Sequence, residues 1–170
     1  MILLHKLYKK GVFMWQKIKT YVISIMIPLA VGGLAAFLTR NSMNIYEKIN
    51  QPFLAPPSWV FPVAWTILYV LMGISSAMIY ESKDVVKEDK KQAFLLYGIN
   101  LAVNFLWSII FFNLGAFFVA FLWLMLLIFV ITRMISAFYK IKPLAAYLQV
   151  PYVLWCCFAT YLTASIWLMN

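Results

Sequence analysis

Three stripes of polar and aromatic side chains carry the chemistry open to this chain of 170 residues. Asn100, Asn104 and Ser108 recur at every fourth position, which sets them on one helical face, and Trp107 lies on the same side. Amides and a hydroxyl so placed hydrogen-bond either a neighbouring helix or the polar edge of a ligand. A second stripe runs through Tyr147, Pro151, Trp155, Ala159 and Thr163. A bulky indole beside a small alanine can shape a slot for a planar molecule, although this stripe taken alone is better read as ordinary aromatic packing. Trp65, Tyr69, Met72, Gly73 and Ser76 repeat the pattern of large rings beside small residues. Three such stripes favour a shared cavity for a flat, apolar molecule more than any one does.

Other chemistries lack their parts. The acidic residues are Glu47, Glu81, Asp84, Glu88 and Asp89, all expected in loops, and the single histidine is His5, near the N-terminus. No apolar run holds an Asp, Glu, Lys or His in its interior, which argues against a pump or a proton-coupled transporter. No metal-ligand spacing, phosphate loop or nucleophile–base pair occurs, so neither a metal nor a resident cofactor is expected. Cys156 and Cys157 are neighbours in an apolar run and are read as inert packing.

The elements that position these stripes follow from composition. Hydrophobic residues make up 65% of the chain and charged residues 11%, the balance of an integral membrane protein. Five runs are long enough to cross about 30 Å of hydrocarbon: Tyr21–Leu38, Trp59–Tyr80, Ala93–Phe112, Ala116–Thr132 and Leu144–Met169. The fold class is therefore all-α, a polytopic five-helix membrane bundle. Residues 1–20 are expected as a basic tail and 21–170 as a single membrane domain. The first run, although preceded by basic residues, reads as a retained helix and not a cleaved leader.

Of the 14 Lys and Arg residues, twelve fall in the N-terminal segment and the loops after the second and fourth runs. Only Arg40 and Lys48 fall on the other side. That asymmetry predicts a cytoplasmic N-terminus and an external C-terminus in a bacterial plasma membrane. The net charge of +9 suits anionic lipid headgroups, and no nucleic-acid partner is expected. The loop from Gln51 to Pro62 would then face outward. Pro52, Pro56, Pro57 and Pro62 stiffen it, and Trp59 and Phe61 crowd it with rings, as a rigid lid over a flat ligand requires.

At these residues the chain resembles the translocator protein / tryptophan-rich sensory protein family (TspO/MBR, the peripheral-type benzodiazepine receptor family). The resemblance rests on Tyr46 through Pro52, Pro56-Pro57, Val60-Phe61, Trp65 through Tyr69, and Met72-Gly73. It continues through Asn104 to Phe112, Pro151 to Tyr161, and Ile166-Trp167, in that order and spacing. It implies a five-helix bundle, commonly a homodimer, with a pocket beneath the first extramembrane loop. Family members bind porphyrins and other tetrapyrroles, sterols in some branches, and isoquinoline and benzodiazepine-type drugs. Carried over by position, the ligand-binding residues are Tyr46, Pro56, Trp65, Tyr69, Asn104, Trp107, Ser108, Trp155 and Ala159.

The chain also departs from the family pattern. Ile45 and Leu54 stand where tryptophans are usual, Gln51 replaces a lysine, Trp123 a carboxylate and Thr163 an asparagine. The basic residue that a steroid-recognition pattern needs after Tyr161 is missing. These changes leave tetrapyrrole binding standing and weaken sterol transport. The resemblance thus implies a receptor or regulator for porphyrin-like, planar lipophilic molecules, and not primarily an enzyme. The alternatives are an uncoupled facilitator and light-dependent porphyrin breakdown, in which Trp65 or Trp155 would donate electrons.

Overall fold

In hydrocarbon a backbone must satisfy its own hydrogen bonds, and an isolated apolar run does so only as a helix. The computed structural model describes residues 2–83 and 85–170, with side chains from residue 14 onward except Asp84. Seven α-helices follow in order: α1 (Ile2–Thr39), α2 (Ile45–Lys48), α3 (Val60–Glu81), α4 (Lys87–Ser108), α5 (Phe117–Ile141), α6 (Pro143–Tyr147) and α7 (Val150–Met169). A π-helical turn, Ile109–Asn113, extends α4, and no strand occurs among the described residues. Five stretches are long and apolar enough to span a membrane, so the expected all-α, five-span membrane architecture holds.

Helices outrun the apolar stretches that announced them. α1 begins at Ile2, so the basic segment expected as a separate tail continues the first helix. Lys17 and Lys19 are exposed on it, while His5, Lys6, Lys9 and Lys10 lie outside the described side chains. Glu88 and Asp89, read as loop residues, form the first turn of α4, where negative charge complements the helix dipole. Asp84 lies outside the described residues. Lys90 Nζ donates to the carbonyls of Tyr80 and Ser82, tying the end of α3 to α4.

The last span is not one helix. Pro143 and Pro151 each fall in the first turn of a helix, where the missing N–H is tolerated, and the chain breaks between α6 and α7. The kink expected at Pro151 is thus a full restart. It detaches Tyr147, exposed on α6, from the stripe of Trp155 and Ala159 on α7.

The spans close into a ring. α1 packs on α3 and α4, α4 on α5, and α5 on α7. α7 returns to α3 through two ring contacts, Phe61–Trp155 at 6.0 Å and Trp65–Tyr152 at 6.1 Å between centroids. Close approach of α1 and α3 needs two glycines. A Cβ on Gly73 would fall on the backbone of Ile25, and one on Gly32 would overlap the Tyr69 ring.

The proline-rich connection is pinned at several points. Tyr46 Oη donates to the Pro56 carbonyl at 3.0 Å, and Gln51 Nε2 to the Tyr46 carbonyl at 2.8 Å. Burial raises the Tyr46 phenol above its ordinary pKa, which keeps it a donor. The Asn50 N–H donates to Asn170 Oδ1 at 2.9 Å, and Asn170 Nδ2 returns a bond to the Asn50 carbonyl at 3.2 Å. The loop is thereby fixed to the end of α7.

Candidate functional site

Small residues on α1 and rings on α3 and α4 leave a gap between the three helices. The gap is a cavity of about 250 Å³. Its α1 wall is Leu29, Gly32, Gly33, Ala35, Ala36 and Thr39; its α3 wall is Phe61, Pro62, Trp65, Thr66 and Tyr69. Trp107, Ser108 and Phe112 close it from α4 and the π turn. A second cavity, of about 320 Å³, lies under α2 and the proline-rich loop, lined by Met43, Asn44, Tyr46, Glu47, Ser58 and Trp59 among others. The two share Met43, Phe61, Pro62 and Phe112 as common walls. A small void of about 20 Å³ behind them is lined by Tyr46, Trp107, Ala159 and Thr163 with Phe61 and Phe112. The rings of Phe61 and Phe112 border all three spaces.

The π turn contributes to this wall. A wide turn inserts a residue and offsets the helix phase by about 100°. Here it leaves Phe111 in the core and Phe112 half-buried at the cavities, with the two rings edge-on at 4.9 Å.

The proposed ligand-binding residues divide by position. Trp65, Tyr69, Trp107 and Ser108 line the α1–α3–α4 cavity. Tyr46 and Ala159 line the small void, and Tyr46 also lines the space under the loop. Pro56 lines none of these three spaces and accepts the Tyr46 hydroxyl through its carbonyl. Trp155 lies elsewhere, in an outer groove between α3 and α7 with Ile67, Leu68, Pro151 and Phe158. The largest wall that sequence reasoning missed is that of α1. Its signal is the set of small residues Gly32, Gly33, Ala35 and Ala36.

Asn104 is engaged in the interior. Tyr69 Oη donates to Asn104 Oδ1 at 2.9 Å, Asn104 Nδ2 donates to Tyr152 Oη at 3.0 Å, and Tyr152 Oη donates to Asn100 Oδ1 at 2.9 Å. All four side chains are buried. The chain of bonds knits α3, α4 and α7 and begins at the cavity wall, because Tyr69 belongs to both. Thr39 and Thr66 donate to carbonyls of their own helices. Ser108 is left as the wall hydroxyl that donates no hydrogen bond among the described residues. Trp123 donates its indole N–H to the Val103 carbonyl at 2.8 Å and so fastens α5 to α4.

Tyr152→Phe will test the weight of this network. It removes one hydroxyl and strands Asn104 Nδ2 and one lone-pair site of Asn100. Buried orphans cost about 1–3 kcal/mol, although interhelical bonds in membranes average only about 0.6 kcal/mol. We expect a loss of about 1–2 kcal/mol, which a thermal melt in detergent reads as roughly 3–6 °C. A melt unchanged within 1 °C, on the order of a quarter to half a kcal/mol, would show the bonds to be incidental.

The TspO/MBR family profile matches residues 24–168 of the chain. The chain belongs to the TspO/MBR family. It is 35% identical over 151 residues to the tryptophan-rich protein TspO of Archaeoglobus fulgidus, covering 88% of this chain and 95% of that one. It is 30% identical to the tryptophan-rich sensory protein of Cereibacter sphaeroides, covering 86% of each chain. The human translocator protein is 31% identical, covering 79% of each. Five spans and this membership make the chain an integral membrane protein of the TspO/MBR family. Tyr69 joins the α1–α3–α4 cavity to the interior network, since it lines the first and donates to Asn104 in the second. No group of His, Cys, Asp or Glu able to hold a metal occurs among the described residues.

Proposed function

We propose that this TspO/MBR chain is a membrane receptor or regulator for a planar lipophilic molecule of the tetrapyrrole class, bound beneath the proline-rich loop. The observation that carries the reading is the pair of adjoining cavities walled by Trp65, Tyr69, Trp107, Phe61 and Phe112. Taken together they reach the several hundred Å³ typical of small-molecule sites, about 300–1,000 Å³. Trp65 stacks on Tyr69 at 5.5 Å and 28°, which leaves large π-surface for a flat ring. Ser108 supplies one hydroxyl to a polar edge. Tyr69 connects the site to the interior network, so occupancy would bias the packing of α3, α4 and α7. Isoquinoline- and benzodiazepine-type compounds are smaller flat probes for the same space. The relatives' names, sensory protein and translocator protein, agree with a receptor role. We place the lysine-rich end in the cytoplasm, the lid outside, and the protein as a homodimer in a bacterial plasma membrane.

Titrating the purified protein with protoporphyrin should quench its tryptophan fluorescence saturably at one site per chain. Purely linear quenching, with no saturable component, would remove the proposal.

Photo-oxidation is a second reading, favoured by one feature. Trp65 lies in ring contact with Tyr69, Trp107 and Tyr152, a set able to feed an electron to an excited macrocycle. Absorbance under illumination separates the two, since a receptor leaves the porphyrin spectrum intact apart from slow bleaching.

A further inference from the structure

Of all the side chains that line these cavities and the outer groove, Glu47 is the sole charged one. It sits on α2 at the space beneath the loop, where Ser58 Oγ donates to its Oε1 at 3.1 Å and fixes the carboxylate at the rim. The basic residues nearest in sequence do not share that wall. Arg40 lays its guanidinium over the Phe37 ring at 4.2 Å, and Lys48 is exposed; neither lines the cavities described above. The space that Glu47 borders adjoins the apolar cavity between α1, α3 and α4 along Met43, Phe61, Pro62 and Phe112.

We infer that Glu47 biases the mouth of the site against anionic ligand edges, so that of two molecules with the same ring it holds the one with an uncharged or cationic polar edge a few-fold more tightly. The inference rests on the proposed tetrapyrrole-class reading of the site and narrows it. A flat ring that fills the cavity between α1, α3 and α4 and reaches past these shared walls would bring its rim to the space that Glu47 borders. A carboxylate on that rim meets like charge, whereas an ester, amide or ammonium does not, and an ammonium gains an ion pair. Glu47 is exposed, so solvent screens the effect to a few-fold.

The test compares protoporphyrin with its dimethyl ester, which share a ring and differ in two charges. Both are titrated into the purified protein in a neutral detergent, and the ratio of their affinities is measured in parent and variants. Differences in micelle partitioning cancel when one ratio is compared across variants. In Glu47→Gln the preference for the ester should fall by about threefold, the scale of an exposed charge pair. Arg40→Gln and Lys48→Gln should leave the ratio within 1.5-fold, on the order of an unpaired surface charge. A ratio unchanged in Glu47→Gln, or one that moves only when Arg40 or Lys48 is replaced, overturns the inference while the receptor reading stands. If neither porphyrin binds saturably to the parent, the receptor reading itself fails and the inference falls with it.

Discussion

Gly73→Val will melt at a clearly lower temperature than the parent, because α1 and α3 cannot stay at their present separation. Any Cβ at position 73 meets the backbone and side chain of Ile25, starting with its Cα. A side chain in the way can rotate, but a helix backbone cannot. Overpacking a filled core costs about 1–3 kcal/mol, and a backbone clash belongs at the upper end. At about 3 kcal/mol, a chain of this length should lose roughly 6–12 °C in its unfolding midpoint. Gly33→Ala is the control, since a Cβ there meets nothing within 4 Å. Exchanging glycine for alanine in a helix is worth up to about 1 kcal/mol in favour of alanine, so that variant should melt at or above the parent. Equal melting of the two variants would show that the crossing of α1 and α3 is not held at Gly73.

The same crossing bears on the site. Gly32 faces the Tyr69 ring, and Tyr69 is held through its hydroxyl by Asn104. The ring therefore has little freedom to yield, and the gap beside it persists as a cavity. One feature of α1, its small residues at Gly32, Ala35 and Ala36, thus both lets α3 approach and leaves the cavity open. That explains why sequence reading found the spans and missed the wall. A span announces itself by length and apolarity, which the bilayer imposes on every such protein. A cavity wall made by missing atoms carries no chemistry to read.

Partners across helices were equally hard to see. Asn100 and Asn104 showed a polar face, but the choice between a ligand and a neighbouring helix depends on what stands opposite. That residue is Tyr152, one position beyond Pro151 and outside the stripe that drew attention to α7. The stripe itself assumed one continuous helix from Leu144. The break between α6 and α7 resets its phase, so Tyr147 parts from it and Trp155 faces the outer groove. The π turn likewise changed what Phe111 and Phe112 face, and nothing in the local residue types marks a wide turn. Trp65, Tyr69, Trp107 and Ser108 line one cavity because the stripes on α3 and α4 border the same gap, and helical spacing alone makes such faces legible.

Trp65→Ala should weaken porphyrin binding by about thirtyfold, the loss typical of removing one buried aromatic anchor, roughly 2 kcal/mol. Trp65 presents the cavity's central ring, in contact with Tyr69 at 5.5 Å, Tyr152 at 6.1 Å and Trp107 at 6.5 Å. Its loss removes stacking area from the ligand and also support from the rings that remain. Because truncating a packed tryptophan costs about 3–5 kcal/mol of stability, Trp65→Phe is the companion variant. It keeps a ring and should lose only about threefold in affinity, the smaller stacking contribution of a six-membered ring. Affinity is best read from the shift of the porphyrin absorption band, which does not depend on the tryptophan that has been removed. Trp155→Ala sets the location. Trp155 packs on Phe61 and Phe158 and lines only the groove between α3 and α7. Its replacement should change affinity by less than about threefold, an indirect effect through Phe61. If Trp155→Ala weakens binding more than Trp65→Ala does, the ligand occupies the outer groove and the cavity between α1, α3 and α4 is not its site. The two variants therefore decide between the two faces of α3, the one turned to α1 and the one turned to α7.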